Sequence, residues 1–119
     1  MYEVIFYEKE NGEKPVEVFL DSLDIKMRAK TLHMLEILAE KGNDLRMPYS
    51  RYLSAGIFEL RITQGNNISR VLYFFYKNKQ IIVTNGFVKK QQKMPISEIK
   101  LAKSRKKDFL KQQRRRNEI

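Results

Sequence analysis

Lys89, Lys90 and Lys93 fall within five positions of the stretch NGFVKKQQKMP, and no acidic residue stands among them. Like charges held this close repel, so the cluster asks for an anion. Arg61 in IFELRIT and Arg70 in ISRVLYFFY add two more cations on neighbouring strand-like runs. Arginine offers planar, two-pronged donation to phosphate, and lysine adds a mobile point charge. Turns centred on Gly65-Asn66 and Asn78-Lys79 place Arg61 opposite Arg70, Glu59 opposite Leu72 and Arg70 opposite Phe87. Alternation then gathers Glu59, Arg61, Arg70, Phe87 and Lys89 on one face. Phe58, Leu60, Ile62, Val71, Tyr73, Phe75, Ile82 and Val88 fall on the other, which the helices are expected to cover. Directly opposed like charges cost a few tenths to about 1 kcal/mol. One explanation is an ordinary surface network in which Glu59 neutralises Arg61 diagonally. The other is an open anion-binding cleft with the Phe87 ring beside it to stack a base. The adjoining lysines favour the cleft.

The elements that position these residues are readable in outline. Residues 2–7 (YEVIFY) have strand composition, and Asn11-Gly12 marks a turn. Pro15 suits the first position of a short helix through VEVFLDSL. Asp24 caps a second helix that runs to about Lys41 and stops at Gly42, with Ile25, Ala29, Leu32, Leu35 and Leu38/Ala39 as its apolar stripe. His33 lies off that stripe and reads as a surface residue. Residues 43–56 read as irregular and carry Arg46 and Arg51. Three runs, IFELRIT, ISRVLYFFY and QIIVTNGFV, follow with short connections and predict an antiparallel meander. From about residue 96 a basic helix follows, expected to pack lightly and to fray beyond Leu110. The order predicts an α+β domain over 1–119: a small twisted antiparallel sheet, two N-terminal helices on one face and a basic C-terminal helix.

Composition bounds the chemistry. The net charge of +10 is concentrated: residues 1–88 hold 12 Lys/Arg against 11 Asp/Glu, while residues 89–119 hold 12 against 3. Such a segment is either a solvated tail or an arm for a polyanion or acidic partner. Without cysteine there are no disulfides, zinc-thiolate sites or cysteine nucleophiles, and one histidine makes no ligand cluster. No metal or cofactor is therefore expected. No stretch reaches the roughly 20 apolar residues of a membrane span. A cytoplasmic protein is expected.

Together, IFELRI, SRVLYFF and NGFVKKQQKMPISEIKLAK resemble the C-terminal half of HigB-type toxins in the RelE/ParE superfamily of type II toxin–antitoxin systems. The resemblance runs from about residue 2 to 105 and is strongest over 57–103. It implies a RelE-like fold and a ribosome-dependent, metal-independent endoribonuclease, an mRNA interferase. The family's basic positions match Arg61, Arg70, Lys89, Lys90 and Lys93. Catalysis is assigned to Arg61, Arg70, Lys89 and Lys93, with Lys89 and Lys93 for proton transfer and Glu59 as an outside candidate. RNA binding is assigned to Glu59, Phe87, Lys90, Arg46 and Arg51. Met94 stands where many relatives cap the last helix with a small hydroxyl residue. The implied partner is a HigA-type helix-turn-helix antitoxin that carries the complex to operator DNA. Val18, Phe19, Leu23, Met34 and Ile37 are its expected docking edge. Two rivals stand: a ParE-like gyrase poison, and a non-enzymatic basic module that binds nucleic acid.

Overall fold

The computed structural model describes residues 1–89 and 93–117. In order, the chain forms β1 (Glu3–Phe6), α1 (Pro15–Ser22), α2 (Ile25–Lys41), a single 3-10 turn (Gly42–Asp44), β2 (Ser50–Ser54), β3 (Ile57–Gln64), β4 (Asn67–Tyr76), β5 (Gln80–Lys89) and α3 (Ile96–Asn117). Pro15 opens α1 without losing a needed N–H, and Asp24 caps α2 by accepting from the Met27 N–H at 2.8 Å. α2 ends at Gly42, whose φ of +50° suits glycine; a Cβ there would sit 2.0 Å from the Tyr2 ring.

The sheet order is β1-β5-β4-β3-β2, and the expected all-antiparallel sheet is corrected to a mixed one. β1 runs parallel to β5, with Ile5 opposite Ile82; α1, α2 and strands β2 to β4 lie between them in the chain, so no hairpin constrains their direction. The segment read as irregular holds an edge strand, β2, which pairs with β3 from Ser50↔Leu60 onward. Its alternation is hidden because Arg51 and Tyr52 both face solvent.

β3 and β4 pair as expected, with Arg61 opposite Arg70 and Glu59 opposite Leu72. On β5 the turn is one residue longer than expected, since Tyr76 pairs with Gln80, and a bulge at Thr84 takes up the extra residue. Phe87 therefore still lies opposite Arg70. Ile82, however, stands opposite Phe74 and moves to the opposite face from the one expected.

Both faces of the sheet are covered. α1 and α2 bury Val16, Leu20, Met27, Leu35 and Leu38 against Leu60, Ile62, Val71 and Tyr73. The other face, expected to be open, is packed by α3: Met94, Ala102 and Phe109 meet Ile57, Leu72, Phe74 and Ile82. The buried stripe of α2 is Met27, Thr31, Met34, Leu35 and Leu38. The predicted stripe is thus rotated, and Ile25 and Leu32 face solvent at 82% and 42% exposure. Val88, also predicted to be covered, is 44% exposed.

α3 continues beyond Leu110, the expected point of fraying. Tyr7 donates to Asp108 at 2.5 Å, Gln112 donates to the Glu8 carbonyl at 3.1 Å, and Arg115 meets Glu10 at 2.7 Å. Burial, then the Asp108 contact, pushes the Tyr7 phenol from 10.0 to about 12. The hydrogen bonds from Tyr7 and Gln112 hold Asp108 below its ordinary 3.8. Asp108 thus stabilises the docked helix above about pH 3.8, a contribution lost as pH falls through its lowered value. Tyr7 stabilises it below pH 10.0, a contribution lost as pH rises through about 12. Asp108→Asn should flatten the acid limb of the stability curve; thermal melts of both proteins across pH check this.

Gly86 on β5 lies under the Phe19 ring of α1, where an added Cβ would come within 2.5 Å. Gly86→Ala should cost about 1–3 kcal/mol through overpacking. Urea denaturation measures it, and Phe19→Leu in the same chain should recover part of the loss.

Candidate nucleic-acid interface

The predicted site residues divide into a buried support and an exposed cationic rim. Glu59 and Arg70 are both fully buried, so placing them on an open face is incorrect. The guanidinium Nη1 of Arg70 donates to Glu59 Oε2 at 3.0 Å. The other carboxylate oxygen, Oε1, makes no hydrogen bond among the described residues and faces Arg51 Nη2 at 3.4 Å. Two guanidiniums therefore share one carboxylate. Glu59 thus sits in a buried ion-pair group with Arg70 on one oxygen and Arg51 near the other. The pair breaks none of the pleat rules; it is buried because α3 covers the face the sequence reading left open.

Arg51 links the two layers. It lies at the sheet edge on β2, its side chain 44% exposed, and its head is drawn toward Glu59. The register sets Arg61 beside this group, opposite Arg70, in a half-buried position. Lys89 ends β5 opposite Ile68 at the same end of the sheet. Lys93 is exposed just before α3, and Lys90 lies outside the described residues. Arg46 is exposed and bonded to the Asn43 carbonyl at 3.0 Å, away from the paired strands. The rim around the buried pair is thus Arg51 and Arg61, with the backbone of Lys89 at the same end of the sheet.

Phe87 is half-buried in the α3-side cluster, which removes it as a free stacking ring. Tyr49 and Tyr52, on either side of Arg51 in the chain, are 52% and 56% exposed, but Tyr52 lies opposite Phe58, edge-on to its ring, on the sheet face that α1 and α2 cover. Met94, read as a weak cap, is instead a core residue at 8% exposure.

A polar network fixes the α3 end of the site. The Thr84 hydroxyl donates to Asn85 Oδ1 at 2.6 Å, and Asn85 Nδ2 donates to Glu98 Oε1 at 3.0 Å. Arg105 donates to the Thr84 carbonyl at 3.0 Å. The β5 bulge therefore supplies the contacts that hold Glu98 and Arg105 of α3 against the sheet. No group of three or more His, Cys, Asp or Glu among the described residues could hold a metal ion. No helix among them is long and apolar enough to cross a membrane.

The family model described as "Phage derived protein Gp49-like (DUF891)" matches residues 18–107. No curated protein matches significantly. Among solved structures, a chain of the archaeal RelE–RelB complex from Pyrococcus horikoshii OT3 superposes with a TM-score of 0.50 at 20% identity. The match covers 77% of this chain and 98% of that one. At that identity the likeness establishes the fold, which is the RelE-like α+β fold expected from the sequence.

Proposed function

We propose a toxin's role for this chain, which belongs to the Gp49-like family of phage-derived proteins: a HigB-type, ribosome-dependent mRNA endoribonuclease of a type II toxin–antitoxin system. The observation that carries the reading is the cationic rim at one end of the sheet, with Arg61 and Arg51 arranged around a buried Glu59–Arg70 pair. The fold, shared with a chain of a RelE–RelB complex, supports it.

The reaction proposed is attack by the ribose 2′-OH on the adjacent phosphorus with expulsion of the 5′-oxygen, leaving a 2′,3′-cyclic phosphate. The protein must hold nucleophile and leaving group in line and stabilise charge on the phosphoryl oxygens. Arg61 is assigned the phosphoryl oxygens, since an arginine stays charged and donates in a planar fork. Lys89 and Lys93 are assigned the two proton transfers. Arg70 passes from catalysis to support: it fixes Glu59, and Glu59 orients Arg51 toward the rim. Tyr49, exposed just before β2, is assigned the stacking of a flanking base.

The silencing partner in this reading is a helix-turn-helix antitoxin of the HigA type. The edge expected to receive it is only partly available, because Leu23 and Met34 are buried and Phe19 and Ile37 half-buried. Val18, Ile25 and Leu32 are the apolar residues those helices expose. Expression of the chain alone, followed by mapping of cellular mRNA 5′ ends, tests the function. New ends within translated frames are expected. Intact messages with gyrase-linked DNA breaks would transfer the chain to the ParE-like reading.

A further inference from the structure

β3 outruns its edge neighbour. β2 pairs with it from Ser50↔Leu60 onward, and the Arg61 N–H still donates to the Tyr49 carbonyl at 2.8 Å. Beyond that point no strand among the described residues lies beside Ile62 and Thr63 on this side. Tyr49 would complete its pair by donating to the Arg61 carbonyl, but its N–H goes instead to the Arg46 carbonyl at 3.0 Å. Residues two apart on a strand turn their backbone groups to the same side. The Arg61 C=O and the Thr63 N–H and C=O therefore face outward past the end of β2. Lys30 of α2 meets one of them, donating from its ammonium to the Thr63 carbonyl.

The space they face is a cleft of about 170 Å³ between α2 and the segment before β2. Its lining is apolar at Pro48 and at Met34 and Ile62, both buried, with the half-exposed Tyr49 beside them. The volume is the share of about six liquid waters, which suits one flat base and excludes a whole nucleotide. Along the β3 edge the cleft offers an acceptor at the Arg61 carbonyl, a donor at the Thr63 N–H and a further donor at the Lys30 ammonium. A lysine has three donor hydrogens, so the bond to Thr63 leaves others free for a ligand. The complementary base edge runs donor, acceptor, acceptor. Guanine presents it as N1–H, O6 and N7, and cytosine as its exocyclic amine, N3 and O2. Adenine and uracil match the first two positions and then offer carbon, C2–H after adenine N1 and C5–H after uracil O4.

We infer that this cleft seats one base of the bound RNA against Tyr49 and selects guanine or cytosine over adenine or uracil through Lys30. Arg61 joins the cleft to the cationic rim: its guanidinium is assigned the phosphoryl oxygens, and the same residue lines the cleft. A base seated there therefore belongs to a nucleotide adjoining the scissile phosphate. The ligand class rests on the ribonuclease reading. The base preference, and its seat on a residue of α2 outside the rim, go beyond it.

The test uses the full chain and 2′-O-methyl hexanucleotides UUNUUU, where N is G, C, A, U or 7-deazaguanine and the blocked 2′ oxygen prevents cleavage. Binding is read by fluorescence anisotropy. The G and C oligonucleotides are expected to bind about tenfold more tightly than those with A and U, and a gain for G alone or C alone names the base. The 7-deazaguanine oligonucleotide, which lacks N7, should bind no better than that with A. Lys30→Met, at an exposed position, should remove the preference and leave the melting temperature in place. Tyr49→Ala should weaken all five alike, because stacking is indifferent to the base. Equal affinity for all five overturns the inference, as does absence of binding. So does a preference that survives Lys30→Met, or a Lys30→Met chain that loses stability and keeps its preference. Uncut cellular messages with the preference intact would remove the ribonuclease reading and leave the cleft standing. Cut messages with no base preference would do the reverse.

Discussion

Arg70→Ala should unfold the protein at markedly lower temperature, with a loss of about 3–5 kcal/mol. The cause is the orphan it creates: Glu59 is fully buried and, among the described residues, would keep Arg51, at 3.4 Å, as its ionic partner. In a protein of this size that loss lowers the melting temperature by roughly 10 °C or more. Replacing both partners by apolar residues, as in Glu59→Leu with Arg70→Met, should recover most of it, because no buried charge is then left behind. Urea denaturation of the two variants measures the difference. An Arg70→Ala protein that melts like the parent would show that Glu59 finds compensation elsewhere. This expectation reverses the one natural to the sequence alone, in which removing Arg70 relieves repulsion from Arg61 on an open face.

Arg61→Ala should leave stability nearly unchanged and lower mRNA cutting by about 10²–10³-fold, the effect of removing one donor aimed at developing charge. It is half-buried and sits beside an ion pair already formed, so its loss strands no partner among the described residues. Single substitutions at Arg114 or Arg116 should cost only about threefold, since they remove diffuse attraction for the RNA backbone. Lys93→Ala should resemble Arg61→Ala. Rates of 5′-end formation in a translating extract separate the two classes. Equal losses from rim and helix end would mean that charge alone is at work.

The cross-strand neighbours of Arg70 were legible because two offsets cancel. The β4–β5 turn is one residue longer than a turn centred on Asn78-Lys79, and the bulge at Thr84 adds one residue to β5, so the two shift the register by one in opposite directions. Arg70 therefore came out opposite Phe87 correctly, while Ile82, between turn and bulge, came out on the wrong face. The burial of the site was also written in the sequence, in a different place. VLYFFY is a continuous apolar run, the mark of a strand covered on both sides, and Met94, Ala102 and Phe109 are the side chains that cover it. Strict alternation along β4 led to the opposite conclusion. What no pattern in the chain displays is the sharing of Glu59 between Arg51 and Arg70, because β2 was not recognisable as a strand. The helix caps, by contrast, follow from Asp24, Pro15 and Gly42 by local rules, and those the structure bears out.

The parallel pairing of β1 with β5 also governs the order in which the molecule assembles. Glu3 must wait for Gln80, and Tyr7 for Asp108, so β1 is made before the rest of the sheet and finds its partners after it. Closure over such separations is slow, and the hairpins β2–β3 and β3–β4 can form well before it. During synthesis the nascent chain therefore carries an unpaired YEVIFY segment and an uncovered β4 face until α3 has emerged. Glu59 and Arg70 meet early, across adjacent strands, but the low-dielectric setting that gives their pairing its strength arrives only with α3. The interface is thus completed by the final folding step, and a chain interrupted before residue 96 would present its charges on a sheet still open to water.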